Sequence, residues 1–191
     1  DIQKVLDVFI AHGADPRIGY EAHPHIGTNK LPRIIAAMRQ SILANGGEIH
    51  FEQKVTGFRI ANGYITHIVT ADGTSLPCRQ VILATGHSAR DIFRLLVDRG
   101  VRIEAKPFAL GVRIEHPQVV IDRIRYHCDT RDPWLPPASY SVVQQVDGRG
   151  VYSFCMCPGG IIAPCATEPG EVVTNGWSPS KRDNPFANSG I

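Results

Sequence analysis

Apolar residues at positions 2, 5, 6, 9 and 10 recur at the spacing of one helical face, and Gly13 stands where that helix must stop. A loop is expected over residues 14–27, which hold Pro16, Gly19 and His23-Pro24-His25. The stripe Leu31, Ile34, Ile35, Met38 and Ile42 predicts a second helix with a buried face. Thr28 or Asn29 would cap it, Pro32 suits its first turn, and Asn45-Gly46-Gly47 would end it. The period then changes from helical to two. Residues 48–56 alternate, residues 64–70 are rich in β-branched side chains, and Asn62-Gly63 and Asp72-Gly73 are strong hairpin signals. Together they predict a three-stranded meander leading into the apolar run 80–84, read as a buried strand. A helix over about residues 89–99 follows.

Beyond Gly100 the texture becomes mainly β. Residues 108–115 read as a strand, and His116-Pro117 opens a short helix through Tyr126. Residues 131–138 contain three prolines and are expected to be loop. Residues 141–146 and 151–156 flank Asp147-Gly148-Arg149-Gly150 as a hairpin, short strands are expected at 161–165 and 171–175, and the Pro-, Ser- and Asn-rich tail from Trp177 reads mostly as loop. The pattern is that of a mixed α/β (α+β) chain with a boundary near residues 102–106.

Composition changes this picture little. Hydrophobic residues at 43% and charged residues at 20% suit a globular protein able to bury a core. A net charge of +2 supplies no field that would favour nucleic acid. No apolar run approaches the ~18 residues of a membrane span, so no membrane partner is expected. Five cysteines at irregular spacing argue against a disulfide framework and for free thiols in a reducing cytoplasm.

The chemistry gathers at few places. The run 81–84 stops on Ala84-Thr85-Gly86, where small residues, a hydroxyl and the start of the next helix suit a phosphate-bearing cofactor; the competing reading is a tight turn packed with small residues. Ser88 reads as a helix cap or as a further cofactor contact, and His87 as structural. Gly27-Thr28-Asn29-Lys30 lies at a helix start, where backbone amides and Lys30 could hold an anion or face a cofactor or substrate, against a solvated lysine beside a cap. Cys155 and Cys157, two apart on a strand, share a face. They read as packed thiols, as substrate- or cofactor-facing groups, or with Cys165 as metal ligands. His23 and His25 lack the further ligands that a metal site needs, and no metal is expected. Gly148-Arg149-Gly150 is not a dinucleotide fingerprint, because Ser153 stands at the third glycine position and a strand follows.

Several segments taken together resemble the bacterial FAD-dependent dehydrogenases of the glutathione-reductase-like flavoproteins, in particular the NAD(FAD)-utilising branch. They are His25-Ile26-Gly27-Thr28-Asn29-Lys30-Leu31, Gly46-Gly47-Glu48-Ile49, Val81 through Asp91, Lys106 through Pro117, Cys155-Met156-Cys157-Pro158-Gly159-Gly160 and Asn175-Gly176-Trp177-Ser178. The resemblance implies an incomplete FAD-binding domain over residues 1–103, its first helix and loop on the substrate side, followed by a mainly β substrate-type domain over 104–191. It implies that Val55 reads the adenine edge through its backbone, beside Ala84, Thr85, Gly86 and Ser88 as cofactor-binding residues. Lys30, Cys155 and Cys157 would lie on the substrate side.

The Gly-x-Gly-x-x-Gly turn of such proteins and the acidic residue after it do not occur in this sequence. The chain is therefore expected to be a central piece whose parent transfers a hydride between a small-molecule substrate and FAD, with NAD(P) as a second partner and the isolated piece inactive. No catalytic residue is assigned and the oligomeric state stays open. A different class of function, a binding module without redox chemistry, would use the loop around Trp134 and the tail around Trp177.

Overall fold

The computed structural model describes residues 1–191. Its contacts divide them into two compact units, one of residues 1–47 with 109–191, the other of residues 48–108. The fold is mixed α+β, with helices and small antiparallel sheets. No helix is long and apolar enough to cross a membrane.

In the first unit, α1 (Ile2–Ala11) ends as expected: Gly13 adopts φ +101°, and the Ala14 amide returns to the Phe9 carbonyl. A single 3-10 turn, Pro16–Gly19, is opened by Asp15, whose carboxylate accepts the Arg17 amide. Helix α2 (Leu31–Ala44) packs Ile34 against Ala14 and Ile18, with Leu6, Phe9, Ile10, Ile26 and Met38 around them. The expected stripe is only partly buried, since Ile35 and Ile42 stay about half exposed, at 52% and 49%. The expected caps serve another purpose. Thr28 donates its hydroxyl to the Ser178 carbonyl, and Asn29 holds Ser180 through both ends of its amide, so neither closes the helix.

The second unit begins with β1 (Val55–Ala61), β2 (Tyr64–Thr70) and β3 (Ser75–Pro77), a meander in sequence order. Asn62 and Gly63 both take positive φ, as the tight hairpin requires. The second turn is fixed by Asp72, which accepts the Thr70 hydroxyl at 2.6 Å and the Thr74 amide at 3.0 Å, holding its carboxyl well below the usual range. Two expectations fail here. Pairing starts only at Val55, so residues 48–54 are not strand, and the run 81–84 joins no sheet. The meander ends at Pro77, which has no amide to extend a ladder, and Ile82 is left 93% exposed. An apolar run becomes a strand only where another backbone pairs with it. Helix α3 (Arg90–Asp98) follows as expected, with Ile92 buried and Asp91 paired to Lys54 at 2.8 Å.

The first unit resumes with β4 (Arg113–Pro117) and α4 (Gln118–Tyr126). Residues 108–112, read as the first half of β4, are not strand, and Phe108 and Leu110 lie exposed. Strands β5 (Val143–Val146) and β6 (Arg149–Tyr152) form the expected hairpin. The single strand expected over 151–156 is two: after Ser153 the chain leaves the hairpin and enters another sheet as β7 (Phe154–Cys157), with Cys155 at φ +48°. Strands β8 (Ile161–Pro164) and β9 (Thr174–Trp177) pair with each other. The tail, expected to be loop, supplies β10 (Phe186–Gly190), the central strand of the sheet β4–β10–β7. Ala187, Asn188 and Ser189 there are fully buried. Ala187 joins Ile121 and Ala138 in a second core flanked by Tyr126, Tyr140 and Met156.

Candidate functional site

The residues singled out from sequence fall in different units. In the second, Val55 is the half-buried first residue of β1, paired with Thr70 just before a register shift. Ala84, Thr85 and Gly86 lie in the exposed coil before α3, and no backbone hydrogen bond joins residues 82–86 to the rest of the chain. Gly86 has φ +75° and open space where a Cβ would stand. Free amides, small side chains and an unobstructed glycine fit a ligand held through the backbone, such as a flavin nucleotide. Ser88 gives α3 no side-chain cap; its carbonyl accepts the Arg90 amide at 2.9 Å.

In the first unit, Lys30 occupies the N-cap position of α2 and is exposed. Most of the amides around it are already used. Those of Lys30 and Leu31 return to the Gly27 carbonyl, and that of Thr28 goes to Ser178. Any anion here would meet the Lys30 ammonium rather than a row of free amides. Gly27 is required for this turn, because a Cβ on it would fall on the backbone of Ser180. His25 turns its Nε2 to the Pro179 carbonyl at 2.9 Å, and burial pushes its pKa down.

The two cysteines come together with groups that the sequence did not single out as a set. Arg113 of β4 donates one Nη1 to the Asn188 Oδ1 of β10 at 2.7 Å and to the Cys155 carbonyl of β7 at 3.1 Å. Cys157 is buried, and its thiol lies 3.5 Å from the Cys155 carbonyl. Gly176 closes the cluster, since a Cβ there would lie 2.6 Å from both the Cys157 sulfur and Asn188 Oδ1. Burial first, then the adjacent Cys155, push the Cys157 thiol up to about 11 against the pull of Arg113. A thiol so placed is a packed, protonated group, and it is Arg113 that ties β4, β7 and β10 together.

Cys155, by contrast, is exposed, as are Cys128 and Cys165. Iodoacetamide at pH 8 is therefore expected to label these three while sparing Cys157, only roughly a thousandth of which is thiolate there. Peptide mass spectrometry before and after unfolding reads this directly. Labelling of Cys157 in the folded protein at the rate of Cys155 would contradict it.

With this geometry in hand, likeness to known proteins becomes informative. Residues 107–191 match the family described as "FAD-dependent protein, C-terminal domain-like". That segment runs from the coil before β4 to the end of the chain, and so includes the Arg113–Cys157–Asn188 cluster. The match supports an FAD-dependent protein family. A Clostridium beijerinckii (strain ATCC 51743 / NCIMB 8052) protein described as "Uncharacterized protein" is 41% identical over 189 residues, 98% of this chain. The chain spans 35% of that relative's own length.

Proposed function

We propose that this chain is part of an FAD-dependent oxidoreductase that moves a hydride between a small-molecule substrate and the flavin. The family match over residues 107–191 carries the reading. The glutathione-reductase-like branch, a dehydrogenase activity and NAD(P) as electron partner belong to the same proposal, and rest on the resemblance of the sequence segments. So does a cytoplasmic site of action, which five unpaired cysteines favour. FAD, when bound, supplies the hydride-accepting centre. The chain's own part is to hold it. Ala84, Thr85 and Gly86 offer backbone and a hydroxyl without bulky side chains, Ser88 stands beside the start of α3, and Val55 offers the end of β1.

The natural full-length protein is expected to retain FAD on purification, seen as flavin absorbance released on denaturation. Gly86→Val should raise the Kd for FAD about ten-fold or more, a loss of about 1.4 kcal/mol. A Cβ at Gly86 meets nothing, so the effect on folding should be limited to the backbone cost of a β-branched side chain at φ +75°, about 1–2 kcal/mol, which a melting curve of the same variant reads separately. A protein that neither retains FAD nor quenches its fluorescence would overturn the reading.

A further inference from the structure

A cleft of about 790 Å³ opens within the first unit, between the loop after α1, the end of α4 with the proline-rich segment beyond it, and residues 180–182. Five arginines and lysines line it against a single carboxylate, that of Glu21, in a chain whose whole net charge is only +2. Two of the five are neutralised locally. Arg17 pairs with Asp15 at 2.9 Å and reaches Glu21 at 3.8 Å, and Arg131 pairs with Asp122 at 2.9 Å. Arg125, Lys181 and Arg182 have no ion pair or side-chain hydrogen bond.

Arg182 carries the stronger signal. Its Nε is buried and has no acceptor. Buried polar groups nearly always have partners, so the unmet Nε marks Arg182, whose side chain lines the cleft, as a guanidinium short of an acceptor. Burial also pulls the Arg182 pKa down, the direction expected of a cation that lacks its counter-charge. The Ser139 and Ser180 side chains add hydroxyls to the lining, and Trp134, at 94% exposure, stands at the same cleft.

We propose that this cleft binds a small oxyanion-bearing molecule, a carboxylate or a phosphate, whose oxygens pair with Arg125, Lys181 and Arg182. Arginine suits both oxyanions through its planar fork, and the partly desolvated setting strengthens each charge-assisted hydrogen bond. The site lies wholly within the first unit and stands whether or not the protein works with FAD.

Isothermal titration of the protein with inorganic pyrophosphate and, separately, with citrate at constant ionic strength tests the proposal, with Trp134 fluorescence as a second readout. Saturable binding of at least one is expected. Pyrophosphate alone would identify a phosphate ligand, citrate alone a carboxylate, and both a shared oxyanion site. Arg182→Gln should weaken the binding ten-fold or more. Arg125→Gln, at an exposed position that leaves the fold untouched, should weaken it several-fold without moving the melting temperature. Trp134→Phe should abolish the optical signal and leave the calorimetric one. No saturable binding of either probe, or binding unchanged in both arginine variants, overturns the proposal.

Discussion

Gly159→Ala is expected to lower the melting temperature of the protein by about 10 °C or more, the cost of roughly 3 kcal/mol in a domain of this size. Two separate terms combine. Gly159 has φ +52°, where a side chain costs about 1 kcal/mol. More important, a Cβ there would fall on the carbonyl group of Arg182, which is backbone and cannot swing aside. Overpacking of this kind costs about 1–3 kcal/mol. Relaxation is blocked because the turn is held from several sides. The Gly159 amide donates to the buried Gln118 side chain at 2.8 Å, the Gly160 amide to Phe186 at 2.9 Å, and the Ser178 hydroxyl to the Pro158 carbonyl at 2.8 Å.

Gly148→Ala is the control. Gly148 also has positive φ, +74°, but its Cβ would meet open space, so only the backbone term of about 1 kcal/mol remains. Thermal denaturation of the two variants separates the contributions, and equal losses would show that the close approach of residues 158–160 to 177–182 is not what the fold depends on. Because the displaced carbonyl belongs to Arg182, pyrophosphate or citrate binding should fall with stability in Gly159→Ala and not in Gly148→Ala.

Local signals carried much of the fold. Asn62-Gly63 and Asp147-Gly148 make hairpins because positive φ is a property of a few residues and needs no distant partner. Gly13 and Gly46 end helices for the same reason. The elements that depart from the sequence pattern are those that depend on distant partners. Residues 81–84 have the composition of a strand but pair with nothing in the chain, and of 108–112 only Val112 finds a backbone partner, Ile191, whereas β10, written Phe-Ala-Asn-Ser-Gly, has little strand character and becomes the middle of a sheet. Its place is set by β4 and β7 on either side and by Arg113 reaching Asn188. The thiol cluster was legible only as a Cys-x-Cys pair, since Arg113 and Asn188 lie 42 and 33 residues away from Cys155. The cations of the cleft are scattered further still, from Arg17 to Arg182, and no spacing joins them. The adjacent Lys181-Arg182 and the Arg131–Pro137 segment were the available hints.

The wall of that cleft depends on one carboxylate, and Asp122→Ala is expected to destabilise the protein by about 3–5 kcal/mol. Asp122 lies on α4 with its side chain only 8% exposed. One oxygen accepts the Gln118 amide at 2.9 Å and the Ala138 backbone amide at 2.8 Å, and the other accepts Arg131 Nε at 2.9 Å. Alanine would leave three N–H groups without their acceptor, one of them on a partly buried cation, although Gln118 Nε2 keeps the Ala138 carbonyl and Arg131 Nη1 the Leu135 carbonyl. The penalty is the desolvation of those groups rather than the net worth of the ion pair. Asp122→Asn keeps the shape but presents an NH₂ where a donor already points, so it should recover only part of the loss. Arg131→Met with Asp122→Leu, removing charge from both sides, should recover more than either single change. The consequence for the cleft is local. Arg131 and Ala138 bracket the proline-rich segment, which is otherwise tied to α4 by the Tyr126 hydroxyl on the Pro136 carbonyl at 2.9 Å. Freed from Asp122, residues 132–137 should become the first point of proteolytic cleavage under native conditions, before global unfolding. Urea denaturation with limited proteolysis reads both effects. A variant as stable and as resistant as the parent would mean that the loop is held by its prolines alone.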